Sequence, residues 1–248
     1  MEALLLAAGL GTRLQPLTND RPKALVEVEG HTLLEYAIRN LTKHGVTHIV
    51  VNVHHFAEKV CDFLSAHTWE VPISISHEED LLLDTGGGLK KAASFFSGNE
   101  PILIHNVDII SSINLSEILE KHNQTHTIAT LAVSERSTSR QLLFDDNQQL
   151  IGWHNNTSNT YLWANTGKIS NHFKELAFSG IAVIEPELTD LLPESDHPYP
   201  IIPEYLKIAG KHPIDCYIHP ADNWLDVGKP ETLQQASTFI KQLTWNRF

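Results

Sequence analysis

Hydrophobic positions in the first half of the chain alternate between two textures. "EALLLAA", which stops at Gly9, is an all-apolar run with the length of a strand covered on both faces. "THIVVNV", "PISISHE" and "PILIHNVD" read as three further strands, the last ending in an acid. Between them the apolar spacing becomes helical. "TLLEYAIRNLTKHG" puts Leu33, Leu34, Ala37, Ile38 and Leu41 on one face, with Gly45 as the stop. "AEKVCDFLSAH" and "LSEILEKHN" read as helices. "GGLKKAASFF" is expected to open another after the triplet Gly86, Gly87, Gly88, with Leu89, Phe95 and Phe96 packing into the core. Such alternation predicts an α/β fold with a mainly parallel sheet and right-handed crossovers. After about Thr125 the texture changes. "TIATLAVSE", "RQLLFDDNQQLIGWH" and "FSGIAVIE" read as strands joined by turns, so the sheet becomes mixed. "PEYLKIA" and "PETLQQASTFIKQL" read as late helices. The polar stretch His154 to Thr160 is the candidate for an exposed hairpin tip.

A chain of 248 residues can bury one large core or two small ones. Its net charge of −12 argues against a general nucleic-acid or membrane-surface binder. An acidic protein that binds anions must gather its cations locally, which draws attention to Arg13 and Lys23. Cys61 and Cys216 stand far apart, as expected for a reducing cytoplasm without a disulfide framework. The apolar amino terminus lacks a basic leader and meets glycine at once, so neither a signal peptide nor a membrane span is expected.

In an open α/β sheet, ligands sit outside the carboxyl ends of the strands. Gly9 to Arg13, Gly86 to Gly88 and Asp108 all fall at such ends. The stretch "LLLAAGLGTRLQPLTNDRPKAL" fails the dinucleotide fingerprint, because Leu14 stands where a third glycine is needed. "VGKPE" fails the phosphate loop of nucleoside triphosphatases, because Pro230 follows the lysine. A glycine pair alone can be a tight turn. With its neighbours it suits phosphate: Gly9 and Gly11 let backbone N–H groups approach an anion, Arg13 can fork onto phosphate oxygens, and Lys23 adds a mobile point charge. His44, His48, His54 and His55 offer no helical ligand pair for zinc and are expected to face solvent. Lys90 and Lys91 are expected on a solvated face. Asp108 and Asp226, taken singly, read as well as helix caps as metal ligands.

"LAAGLGTRLQPLTNDRPKALVEVEG" closely resembles the signature of the sugar-phosphate nucleotidylyltransferases: a glycine turn, then Thr-Arg-Leu, Pro-Leu-Thr and Pro-Lys. The resemblance continues in "LLDTGGGLKKA", similar to the family's nucleotide-base loop, and in "LIHNVDI", similar to its metal-binding strand end. "FSGIAVIEPEL" is similar to a sugar-side strand, and "WLDVGKPETL" to a second metal site. Within the family, the compact length and the threonine-triglycine loop look most like the N-acetylmuramate 1-phosphate uridylyltransferases of cell-wall recycling. Mannose- and heptose-1-phosphate guanylyltransferases are the nearest alternatives.

The resemblance implies a Rossmann-like nucleotidyltransferase (GT-A-like) fold, a mixed, mainly parallel sheet flanked by helices. It implies a single domain over 1–248, with a nucleotide-binding half over 1–125 and a sugar-phosphate half over 126–248. The implied reaction is attack of a sugar 1-phosphate on the α-phosphorus of a nucleoside triphosphate, UTP by this likeness, with Mg²⁺ as cofactor and pyrophosphate released. Arg13 and Lys23 are the implied catalytic cations. Ala8, Gly9, Gly11, Thr12, Gly86 and Gly87 are implied to frame the nucleotide, Asn106 and Gly180 the sugar, and Asp108 and Asp226 the metal. A sugar phosphate is already a nucleophile, so no general base is needed and none is evident. A catalytically silent relative would be expected to lose these charges, and this chain keeps them. Two departures stand out. Val107 replaces the family's glycine before the metal aspartate, and its methyls point either at the sugar or into the core. The family's Glu-Lys-Pro sugar-phosphate contact is replaced by "IGWHNNTSN". Arg140 is the candidate substitute, beside the plainer reading of a solvated turn arginine.

Overall fold

The first apolar run becomes β1 (Glu2–Leu6), which lies inside the main sheet of the computed structural model. Residues 1–164 and 172–243 are described. β1 is flanked on one side by β4 (His48–Val53) and then β5 (Ile73–His77), and on the other by β6 (Ile102–Asn106), all in parallel register. Their connections contain a small hairpin, β2 (Glu27–Val28) with β3 (His31–Thr32), and three helices: α1 (Leu33–Lys43), α2 (Ala57–Ser65) and α3 (Asp84–Ala92). α1 starts where its sequence says it should. The Thr32 hydroxyl accepts from the Glu35 backbone N–H at 3.1 Å, and Gly45 beyond its end takes φ +77°.

β7 (Ile109–Ser111), α4 (Leu115–Thr125) and β8 (Ala129–Ser134) follow β6. Then the sheet turns antiparallel. β9 (Arg140–Phe144), β10 (Leu150–Asn155) and β11 (Thr160–Trp163) form a meander whose last turn, between Asn155 and Thr160, is the expected hairpin tip. The long β12 (Lys174–Ile184) joins both regions. Its first residues pair with β9, and Ile181–Ile184 pair with β6. β12 also pairs with β8, which carries β13 (Ile214–Ile218) in parallel on its far edge. The central sheet is therefore mixed and mainly parallel, in the order β5-β4-β1-β6-β12-β8-β13, as the sequence predicts. α5 (Glu187–Leu191), α6 (Ile201–Ala209), β14 (Trp224–Asp226) and α7 (Pro230–Gln242) complete the described chain.

Alternate residues of the buried strands feed opposite sides. Leu4, Val50, Ile102 and Ile104 pack with residues of α3, α5 and α6. Ala3, Leu5, Ile49, Val51 and Leu103 pack with α1, α2 and α4. This is why the runs are dominated by apolar residues: neither face of the strand meets water, and buried polar exceptions such as Asn52 are hydrogen-bonded. A third cluster joins Leu14 and Val26 to Val227, Ala236 and Ile240, so β14 and α7 fold back beside the glycine turn.

Three local expectations are corrected. α3 begins at Asp84, so Gly86, Gly87 and Gly88 lie inside its first turns instead of before it. The Tyr199 ring packs so closely on this turn that a Cβ at Gly86 would stand 2.5 Å from it, and that contact stabilises a turn that glycine alone would weaken. Leu89 is core and Phe96 is half-buried, but Phe95 is 41% exposed at the end of a 3₁₀ turn that rotates it outward. The four histidines do not face open solvent. All are half-buried, and His44, His48 and His54 hydrogen-bond to Ser116, to Glu2 and Ser74, and to the Glu78 carbonyl.

Candidate active site

Beyond the carboxyl ends of β1 and β6 lies a cleft of about 590 Å³ that residues of β9, β10, β12 and β14 also line. Arg13 enters it from a 3₁₀ turn, Thr12–Leu14, that follows Gly11. Gly11 has φ +68°, and a Cβ there would meet Thr18 at 3.0 Å, so both backbone and space require glycine. Thr18 closes the turn by donating its hydroxyl to the Gly11 carbonyl at 2.8 Å. Lys23 follows Pro22 in a second 3₁₀ turn and reaches back so that its Nζ lies 3.7 Å from the position of a Cβ on Gly9. Ala8 is buried at the end of β1, whereas Gly9 and Thr12 are exposed.

Asp108 lies two residues beyond β6, in a turn tied by the Val107 N–H to the Leu6 carbonyl at 3.1 Å. Asp226 ends β14, level with Ile109 of β7, and the Val227 N–H donates to the Asp108 carbonyl at 2.9 Å. Two acids 118 positions apart are thus locked side by side through backbone bonds. Gly228 shows how close they come. A Cβ on it would lie 2.8 Å from Asp226 Oδ1, 2.9 Å from Asp108 Oδ2 and 3.0 Å from Arg13 Nη2. Lys23 Nζ donates to Asp108 Oδ2 at 2.7 Å, with both side chains largely shielded from solvent. Neighbouring carboxylates repel, and Arg13 and Lys23 offset that repulsion. Two hard oxygen donors converging on one space suit a small divalent cation whose remaining ligands are phosphate oxygens and water. Among the described residues no cluster of three or more potential metal ligands occurs, so the protein would supply these two acids.

All three atoms facing Gly228 are ends of side chains, so the fold should absorb a methyl there. Gly228→Ala is therefore expected to leave thermal stability nearly unchanged. Turnover should fall on the order of a hundredfold, the scale of a misplacement of about 1 Å. Unaltered turnover would show that Asp108, Asp226 and Arg13 do not act together.

Asn106, Gly180 and Arg140 line the same cleft. Gly180 has φ +72° and a Cβ on it would meet Asn106 Nδ2 at 2.7 Å, so the glycine gives the amide its place. Val107 is 1% exposed and packs with Ala7, Leu103 and Ile109, so its methyls point into the core. Gly86 and Gly87 do not line this cleft. They are buried, and the Gly86 N–H is committed to the Tyr199 carbonyl at 3.0 Å. Thr85 accepts from the Ile201 N–H at 3.0 Å, which ties α3 to α6. Lys90 is held by the Thr189 carbonyl and Glu194, and Lys91 is exposed.

Several site residues escape a reading of the sequence. Arg136, in the polar stretch "SERSTS", looks solvated. It is half-buried, with its guanidinium 3.8 Å over the Trp224 ring, and it donates to Ser134, Ser179, and the Ala177 and Phe178 carbonyls. Burial holds it down to about 10, against the pull of Asp226, so it stays charged at neutral pH. Trp224 donates in turn to the Ser179 carbonyl at 2.8 Å. This stack fixes β14, and with it Asp226, against β12. Glu78, in the run "HEED", looks like a surface acid but is 1% exposed. It accepts from Asn52 at 2.8 Å and from the Leu83 N–H at 2.6 Å, ordering the entry to α3. A single sequence carries no signal for either residue, because Trp224 and β12 for Arg136, and Asn52 for Glu78, come from distant strands.

The chain matches the family described as Nucleotidyl transferase over residues 2–142. It is 34% identical over 235 residues to N-acetylmuramate alpha-1-phosphate uridylyltransferase of Caulobacter vibrioides, covering 92% of each chain. It is 28% identical over 239 residues to the protein of the same name from Neisseria meningitidis, covering 95% of this chain and 96% of that one. Mannose-1-phosphate guanyltransferase of Pichia angusta is 31% identical over 242 residues, 93% of this chain and 62% of the relative. Among solved structures, a UDP-glucose pyrophosphorylase complexed with UDP-glucose superposes with a TM-score of 0.75 at 16% identity, over 97% of this chain and 98% of that one, which speaks to fold alone. With that fold, and with phosphate-type cations facing paired acids, the chain belongs to the nucleotidyl transferase family and is a sugar-phosphate nucleotidyltransferase.

Proposed function

We propose that this enzyme transfers UMP from UTP to N-acetylmuramate 1-phosphate, or a closely related hexose 1-phosphate, releasing pyrophosphate. This reading assigns it to cell-wall sugar recycling. The observation that carries the chemistry is the convergence of Arg13, Asp108 and Asp226 around Gly228, with Lys23 on Asp108. Both reactants are anions, so their repulsion must be offset before the sugar phosphate can approach the α-phosphorus in line. Arg13 forks onto the β- and γ-phosphates, which leave together. Lys23 needs only to exchange Asp108 for a phosphate oxygen to stabilise charge as it builds on the α-phosphate. Asp108 and Asp226 would hold Mg²⁺, which supplies charge neutralisation and orientation of the phosphates. Residues of 1–125 carry the nucleotide side and those of 126–248 the sugar side, with Asp226 joining the first group from the second half. Asn106, seated against Gly180, is suited to a sugar hydroxyl.

The uridylyl choice is supported by the full-length likeness to the Caulobacter and Neisseria proteins. Val107 raises no steric objection, since its methyls are in the core. The test is pyrophosphate release with UTP and GTP, each paired with N-acetylmuramate 1-phosphate and mannose 1-phosphate. UTP with the muramate is expected to be used at least about tenfold better than any other pairing, which corresponds to about 1.4 kcal/mol. Exclusive use of GTP with mannose 1-phosphate would overturn the assignment.

A further inference from the structure

We propose that His219 is a positioning residue for the acceptor: through Ser179 and Arg136 it holds a bulge of β12 against which Asn106 is seated, without touching a substrate itself. The inference rests on the reading of Asn106 and Gly180 as the sugar side of the site.

β12 does not run straight. Phe178 pairs with Val133 of β8 and Ala182 with Leu131, so Ser179, Gly180 and Ile181 stand opposite the single Ala132. Two extra residues leave the ladder there. Gly180 takes φ +72° at this point, and a Cβ on it would lie 2.7 Å from Asn106 Nδ2. A bulge interrupts the ladder and re-aims its neighbours, so other groups must hold its shape. Side chains from two other segments do this. Arg136, just beyond β8, donates to the Ala177 and Phe178 carbonyls, and Trp224 donates to the Ser179 carbonyl at 2.8 Å. Three successive carbonyls of β12 are thus taken up by side chains.

The Ser179 hydroxyl accepts from Arg136 at 3.0 Å and lies 2.7 Å from His219 Nε2. His219 follows β13 and is 3% exposed, and its backbone N–H donates to the Val133 carbonyl at 2.9 Å. The ring is therefore anchored to β8, the strand from which β12 bulges away. Hydrogen-bond direction fixes the state of the ring. Nδ1 lies 2.8 Å from the Pro220 carbonyl, which can only accept, so Nδ1 carries a proton. Burial, with Arg136 nearby, keeps the ring below the usual imidazole pKa against the pull of the Pro220 carbonyl. It is thus neutral at neutral pH and Nε2 is bare. Ser179 donates its one proton to Nε2 while accepting from Arg136. Both ring nitrogens are committed, so His219 has nothing left to offer a substrate. Ser179, Gly180 and Arg136 line the cleft, and His219 reaches it only through them.

Steady-state kinetics on the intact enzyme test this, with UTP and N-acetylmuramate 1-phosphate, or with GTP and mannose 1-phosphate if that is the pair the wild type turns over. His219→Phe keeps the bulk and removes the acceptor. It is expected to raise KM for the sugar phosphate about tenfold, the scale of one buried hydroxyl left unpaired, and to leave kcat and the nucleotide's KM within about twofold. Ser179→Ala should raise the same KM by a similar factor. The double variant should be no worse than either single one, because both remove one shared bond. His219→Gln should recover most of the loss, since its carboxamide oxygen can accept from Ser179. A lower melting temperature with KM unchanged would make His219 a residue of the fold alone. An equal rise in the nucleotide's KM would place the bulge on the other substrate, and additive losses would mean that the two residues do not act through their bond. Each of these overturns the inference while the enzyme class stands. Should His219→Phe fail to fold, Ser179→Ala decides: an unchanged KM for the sugar phosphate overturns the inference. Turnover of neither pair by the wild type overturns the reading on which it rests.

Discussion

Asp108→Asn and Asp226→Asn are each expected to abolish detectable turnover while the protein still folds. Asn keeps the shape of the side chain and removes the charge that would hold a hard cation. The fold should survive because each acid is positioned by backbone bonds that the substitution leaves intact: Val107 to Leu6, Val227 to Asp108, and the β7–β14 register. Asp108→Asn strands Lys23, whose side chain is 15% exposed. A deeply buried lysine robbed of its partner would cost several kcal/mol. Lys23 keeps a little exposure and its partner Asp108 lines the cleft, so the cost should fall below that of a fully buried pair. Circular dichroism and a melting curve check the fold, and pyrophosphate release over a Mg²⁺ titration checks the chemistry. Ordinary Mg²⁺-dependent activity in either variant would remove that aspartate from the metal site.

Arg13→Ala and Lys23→Ala should each lower kcat by at least about a hundredfold, the usual scale for one preorganised charge contact in a transition state. They should differ in stability. Arg13 has no hydrogen-bond or ion-pair partner among the described residues, so its loss should lower the melting temperature less than the loss of Lys23. Lys23 shields Asp108 from Asp226, so its loss leaves two carboxylates facing each other, and the melting temperature should fall. Added Mg²⁺ should recover much of that fall by binding the folded state. Lys23→Arg should not restore the rate, since a planar fork cannot stand in for a point charge on a flexible stem. A defect confined to KM for the sugar phosphate would show that these cations sit on the other substrate.

The parts of this fold legible in the sequence are those fixed by short-range pattern. Leu4, Val50 and Leu103 lie in runs that read as strands covered on both faces, and Thr32 with Glu35 marks the start of α1 within four residues. The candidate site was legible where the family signature is contiguous, at Arg13 and Lys23, and where a strand ends in an acid, at Asp108. The illegible parts depend on contacts between distant segments. Glu78 is a buried acid only because Asn52 and the Leu83 N–H meet it. Arg136 is a structural cation only because Trp224, 88 positions later, supplies a ring. Phe95 has the composition of core and the exposure of a surface residue, because one 3₁₀ turn changes the angle at which it leaves the helix.

β12 has a consequence for which acceptors can be used at all. One continuous strand carries Phe178 on the sugar wall, Gly180 beside Asn106, and Ile181–Ile184 paired to β6, the strand that leads into Asp108. The spacing between the wall and the paired acids is therefore set within one strand, bent at a bulge between Phe178 and Ala182 where Gly180 takes φ +72°, and not by a loop that can lengthen. A wall built on the same strand as the seat of Asn106 cannot retreat to admit an inserted second ring, whereas the exposed start of β9, where Arg140 lines the cleft, leaves room for elaboration of the sugar.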